Sequence, residues 1–178
     1  MNPLTTGASS SKLKALAEAL NQDLENVELR SAVAADDPFL LKLYTLGRLT
    51  ELRTVGWGED QIQSFCQMQY SAQTWHYSLR FPKAQDCIVL SGGKPIGRLK
   101  VYEDEEELML VDIALVPEVQ GQGIGTWLLE GLKNRAREAK KPLRLHVLVT
   151  SRGFRLYERL GFRRVADDGS YIEMEFRP

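Results

Sequence analysis

The residues best suited to chemistry lie in one loop, Gln120-Gly121-Gln122-Gly123-Ile124-Gly125-Thr126, which follows an apolar strand-like run and opens a helical one. A helix start offers unpaired backbone N–H groups and the positive end of the dipole. Glycine lets phosphate oxygens approach that backbone with no Cβ in the way. The loop therefore has the composition of a diphosphate cradle, although a lone glycine repeat is more often a plain turn. Two other phosphate loops are excluded by spacing. A Rossmann fingerprint beginning at Gly121 needs a third glycine where Thr126 stands, and no Gly-Lys-Ser/Thr of a Walker loop is present. Cys66 and Cys87 form no CxxC pair and have no matched histidine motif, and His76 and His146 are the only histidines. Reduced, buried thiols are expected, with no metal site and no covalent thiol intermediate.

The elements that must position this loop follow from hydrophobic periodicity. Residues 1–11 read as a polar leader, and Leu13, Leu16, Ala17, Leu20 and Leu24 form an amphipathic helical stripe, so residues 1–26 are expected to be an accessory segment ahead of a domain spanning 27–178. A strand is expected over 27–33. Two helices follow, one with Phe39, Leu40, Leu43, Leu46 and Leu49 on its core face, the other running from near Glu59 to Leu79 with Ile62, Phe65, Met68, Ala72 and Trp75 inward. Three β-rich runs come next, around 87–90, 95–102 and 108–116, then the glycine loop and a helix with Ile124, Leu128, Leu129, Leu132 and Ala136 on the core side. A strand at 143–149, a short helix at 152–160 and a terminal hairpin complete the order βααβββαβαββ.

Composition narrows the function classes. With 178 residues, 43% hydrophobic and 26% charged, the chain is an ordinary globular domain plus an appendage. No apolar run approaches the roughly 20 residues of a membrane span, and the leader has no apolar signal core, so a cytoplasmic protein with no membrane partner is expected. A net charge of −1 argues against a nucleic-acid partner. The charge is nevertheless segregated: seven acids and no Lys or Arg lie between Tyr102 and Val119, and eleven bases against two acids lie between Gly131 and Arg164. Solvated faces explain each block; the basic one would also suit a polyanionic ligand.

Gln120-x-x-Gly123-x-Gly125 resembles the Arg/Gln-x-x-Gly-x-Gly/Ala signature of the GNAT N-acetyltransferase superfamily. Leu156-Tyr157-x-x-Leu160-Gly161-Phe162 is similar to that family's second motif, one strand and one helix later, and the element order agrees from about Val27 to Pro178. The resemblance implies an α/β (α+β) fold with a mixed, mostly antiparallel sheet, a bulged strand and flanking helices. It implies acetyl-CoA as co-substrate and acetyl transfer to the amine of a small molecule or peptide by direct attack. It places the backbone of Ile113, Ala114 and Leu115, on the bulged strand, along the pantetheine. Gly121, Gln122, Gly123, Ile124, Gly125 and Thr126 fall on the diphosphate, Ser151 near the pantetheine, and Arg152, with Arg155 as a companion, near the adenosine 3′-phosphate. Tyr157 falls on the general acid that returns a proton to the leaving thiolate.

Two positions depart from the family. Met109 stands where some relatives carry a basic glutamate, leaving Asp112 as first choice of base, His146 second and Glu107 third. Thr150-Ser151 replaces an asparagine that contacts pantetheine. Acceptor recognition is expected from the first two helices, where Gln69, Gln73, His76 and Tyr77 share a helical face, while Phe65 and Trp75 are expected in the core. The acidic run Glu103 to Glu107 would suit a cationic amine. Two alternatives remain: a catalytically silent acyl-CoA-binding module, motivated by Met109, and an interaction module whose residues 12–26 dock a partner or a second copy as a homodimer.

Overall fold

The computed structural model describes residues 26–151 and 153–178. The expected leader, the leucine stripe of residues 12–25 and Arg152 lie outside them. Seven strands form one sheet: β1 (Val27–Ser31), β2 (Gln85–Ser91), β3 (Lys94–Glu103), β4 (Leu108–Leu115), β5 (Leu143–Leu148), β6 (Arg163–Asp167) and β7 (Tyr171–Phe176). Their order is β1-β2-β3-β4-β5-β7-β6, with β4 and β5 parallel and every other pair antiparallel. The parallel pair needs a crossover, which is supplied by the helix after the glycine loop. Four helices accompany the sheet: α1 (Asp37–Thr54), α2 (Glu59–Arg80), α3 (Ile124–Ala139) and α4 (Phe154–Arg159). The expected order of elements is the observed one.

Strand alternation gives the two sheet faces different partners. Cys87, Val89, Leu99, Leu108, Leu110, Leu143 and Leu145 face α3 and pack on its Ile124, Leu128, Leu129, Leu132 and Ala136, the stripe expected from periodicity. Ile88 faces the other way, against Leu40 of α1 and Tyr70 of α2. Both cysteines are free and buried, and burial pushes the Cys87 thiol up to about 12.

The expected inward face of α2 is rotated. Ile62, Cys66 and Tyr70 are buried, whereas Met68, Trp75 and Leu79 are 59%, 66% and 62% exposed; Ala72 also faces out. The cause lies in the surface beneath, which Asp37 of α1 and Lys100 of β3 make polar. Tyr70 donates its hydroxyl to Asp37 Oδ1 at 2.7 Å, and the Tyr77 ring lies 5.6 Å from Lys100 Nζ. A phenol can cover apolar surface and also satisfy such neighbours, which a thioether or an indole turned inward would not do.

Candidate functional site

The cleft begins where β4 leaves β5. Their parallel pairing covers only Leu108–Leu110 against Leu143–Leu145. On the other side of β4, Lys100 pairs with Asp112 and Val101 with Leu110, so Val111 is an extra, bulged residue. Past it, β4 stays with β3 as far as Leu115, while β5 continues with β7 to Leu148, and the two strands diverge. A bulge strengthens local twist and bends its strand, which opens the gap. The sequence pointed to Ile113–Leu115 as the bulged segment; the bulge itself sits two residues earlier, and 113–115 form the free arm beyond it. Gly97 lets that arm lie close to β3, because a Cβ there would stand 2.5 Å from Ala114 O and 2.5 Å from Leu115 Cδ2.

The arm runs through a single 3-10 turn, Pro117–Val119, into the glycine loop. Two glutamines fold the loop back on the strand end: Gln120 Nε2 donates to Leu115 O at 2.8 Å and Gln122 Nε2 to Glu118 O at 2.9 Å. Gly121 and Gly123 take φ of 76° and 87°, the left-handed region, with open space beside each. Gly123 also precedes α3, whose first turn is closed by Trp127 N–H on Gly123 O at 2.9 Å. The amides of Ile124, Gly125 and Thr126 thus stand ahead of the helical ladder, where an anion would meet them. A Cβ-free, amide-rich and open surface of this kind fits a diphosphate.

Beyond β5, Ser151 Oγ accepts the Gly153 amide at 3.1 Å and shapes the approach to α4. Arg155 is exposed. The Tyr157 ring packs edge-on against Phe162 with centroids 5.8 Å apart. Burial pushes its phenol up to about 12, and the nearby Asp112 charge adds to this, so the hydroxyl keeps its proton near neutral pH.

Asp112 belongs to a buried ion cluster on the α1/α2 face. Arg98 grips Asp86 with Nε at 2.8 Å and Nη2 at 2.5 Å, and gives Nη1 to Asp112 at 3.2 Å; Lys100 Nζ meets Asp86 at 2.9 Å. Burial works to raise the Asp86 carboxyl, but the Arg98 bonds and charge hold it below the usual range. For Asp112 burial wins, raising its carboxyl above the usual range against the pull of Arg98. The two lesser base candidates are differently placed. Glu107 is bonded to Arg144 at 3.0 Å at the closed end of the β4–β5 pair, away from the cleft. His146 is exposed on β5, opposite Glu173.

Of the four α2 residues, Gln69, Gln73 and Tyr77 are partly buried, while His76 is exposed with its ring centroid 6.3 Å from that of Tyr77. Burial raises the Tyr77 phenol, and Asp112 raises it further, which brings α2 and the carboxylate into one electrostatic neighbourhood. Tyr44, Arg48, Arg98 and Tyr171 also belong there and were missed in the sequence. Tyr44 and Arg48 had a signal, an aromatic and a cation four apart on one helix. The acidic run is spent on structure: Glu103 pairs with Arg135 and Lys141, and Asp104 caps the turn by accepting the amides of Glu106 and Glu107. The basic block is likewise divided, with Lys133 on Glu130 and Arg144 on Glu107 and Glu175.

Residues 83–164, from the end of α2 through the bulge, loop and α4, match the family described as Acetyltransferase (GNAT) domain. The segment that builds the cleft is thus the part similar to a GNAT acetyltransferase domain. Solved structures share the fold over most of the chain. The PaiA N-acetyltransferase from Thermoplasma acidophilum, in complex with coenzyme A, is 22% identical over 85% of this chain and 99% of that one, with a TM-score of 0.63. A GNAT family acetyltransferase from Elizabethkingia anophelis with acetyl-CoA bound is 19% identical, covering 87% and 100%, at 0.55. The ribosomal-protein-S18-alanine N-acetyltransferase from Escherichia coli is 20% identical, covering 85% and 93%, at 0.57. No curated protein matches the chain in sequence. Among the described residues, no helix is long and apolar enough to cross a membrane.

Proposed function

We propose that the protein is an N-acetyltransferase that moves an acetyl group from acetyl-CoA to a small-molecule or peptide amine by direct attack, working in the cytoplasm. The observation that carries this reading is the divergence of β4 and β5 at the Val111 bulge, leading into a left-handed glycine loop at the start of α3. The neighbours with coenzyme A or acetyl-CoA bound support the choice of donor. When bound, the thioester supplies an activated acetyl group.

The chain's own residues then divide the work. Amides from Gly121 through Thr126 hold the diphosphate, and the backbone of Ile113, Ala114 and Leu115 lines the pantetheine arm. Ser151, with Arg152 and Arg155, borders the rest of the coenzyme. Asp112 takes the proton that an ammonium must lose before it can attack, a task suited to a carboxylate raised by burial. Tyr157, protonated at neutral pH, returns a proton to the departing thiolate. Gln69, Gln73, His76 and Tyr77 border the acceptor.

Calorimetric titration of the full chain with acetyl-CoA, with ATP and NAD as controls, tests the donor site. Selective binding is expected, and Gly123→Asp is expected to weaken it by on the order of 100-fold by setting a charge against the diphosphate. No binding to the intact chain would sink the reading. Tyr157→Phe should lower kcat by about 100-fold with little change in KM. Tight acetyl-CoA binding without transfer to any amine would instead favour the silent acyl-CoA-binding module.

A further inference from the structure

On the acceptor side of the cleft, Arg48 has no ion-pair partner among the described residues. Arg48, partly buried in the second half of α1, lies with its guanidinium carbon 3.8 Å from the Tyr44 ring centroid. Tyr44 in turn meets Tyr70 at 5.8 Å between centroids, and Tyr70 is fixed by its bond to Asp37. The guanidinium is therefore held over a ring that itself packs edge-on against a fixed neighbour. Such stacking preserves the donors of an arginine and reduces what must be ordered when it binds a carboxylate in bidentate fashion.

Asp112 stands opposite in charge. Arg98 occupies it through one contact only, at 3.2 Å to Oδ2, because the other donors of Arg98 are committed to Asp86. Lys100, the cross-strand partner of Asp112, is also committed to Asp86. The Asp112 side chain keeps 24% of its surface exposed. Arg48 and Asp112 lie within electrostatic reach of each other and of Tyr77. The mouth of the same region is apolar: Leu148 and Tyr171, cross-strand partners, are 44% and 48% exposed.

We propose that the acceptor is an α-amino acid or a close analogue, a small molecule that carries a carboxylate beside its reactive amine, with Arg48 binding the carboxylate and Asp112 receiving the ammonium. The inference rests on the acetyltransferase reading above and adds the substrate class. A polyamine fits poorly, because the acids Glu103 and Glu107 are bonded elsewhere and Arg48 would repel a second ammonium. An apolar or aromatic amino-acid side chain would cover Leu148 and Tyr171.

The test is a matched panel assayed with acetyl-CoA and the full chain: phenylalanine against phenethylamine, leucine against isopentylamine, and lysine against cadaverine. The expected kcat/KM is at least about tenfold higher for the amino acid of each pair, and Arg48→Met brings that ratio close to one. Arg48→Lys, which keeps the charge and loses the fork, should give an intermediate ratio and guards against a variant that fails to fold. Equal or faster transfer to the decarboxylated amines overturns the proposal, as does an undiminished ratio in Arg48→Met. Transfer to none of the amino acids also overturns it, and acetyl-CoA titration of the same sample shows whether the donor reading falls with it.

Discussion

On the α3 side of the sheet the cleft is built from backbone: a bulge at Val111, two left-handed glycines and the free amides that open α3. On the α1/α2 side it is built from side chains that arrive from α1, α2, β2, β3 and β4 and meet around the Asp86–Arg98–Asp112 cluster. The first kind of site is written in consecutive residues. The second exists only after helices have chosen which face to bury. The two halves therefore depend on different information, and a change in one need not disturb the other.

The strongest way to break this comparison is Arg98→Met. The guanidinium is almost fully buried and neutralises two carboxylates, so its removal leaves uncompensated charge under α1 and α2. A loss of about 3–5 kcal/mol in denaturant unfolding is expected, because breaking a buried pair strands the partner. A much smaller loss would mean that Asp86 and Asp112 relax into water, and that the acceptor half is not organised by this cluster.

Gly97→Ala probes the backbone half. The added Cβ would overlap Ala114 O and Leu115 Cδ2, and a carbonyl in a sheet cannot move as a side-chain tip can. The expected cost is about 1–3 kcal/mol of stability, together with weaker acetyl-CoA binding as the free arm is displaced. Loss of stability with unchanged affinity would separate the arm from the donor site.

The same division explains what could be read in advance. The α3 stripe from Ile124 to Ala136 is apolar at helical spacing above an apolar sheet face, so local pattern and tertiary packing agree. The glycine loop was legible because positive φ selects glycine. The bulge at Val111 was not, since valine carries no mark of being bulged and the irregularity is a property of its register with β3. Tyr44, Arg48 and Arg98 were missed for a related reason: each is an ordinary helix or strand residue until the fold brings it beside Asp112.

Acid titration sharpens the contrast at the root of α1. Asp36 accepts Arg30 at 2.6 and 2.7 Å and the Val33 amide at 2.8 Å, and these bonds, the arginine first, hold its carboxyl at about 2, below the ordinary 3.8. A pKa depressed by folding stabilises fully above the unfolded value and is lost as pH falls through the folded one. The acceptor half should thus lose support between about pH 4 and about pH 2. Asp36→Asn is expected to cost about 1 kcal/mol at neutral pH and to flatten that acid limb in unfolding curves. An unchanged acid limb would assign the loss to other carboxylates.

The smallest expected effect tests the rotated helix. Trp75 would be a costly residue to remove if α2 followed its apparent apolar stripe, since truncating a buried tryptophan costs about 3–5 kcal/mol. In the structure it is 66% exposed, and the buried positions are taken by Ile62, Cys66 and Tyr70. Trp75→Ser should therefore change stability by no more than about 0.5 kcal/mol, whereas Ile62→Ala on the same helix should cost about 2–5 kcal/mol. If the two costs were reversed, α2 would present Trp75 to the sheet, Tyr77 would turn away from Lys100, and the aromatic wall beside Asp112 would have to be rebuilt from other residues.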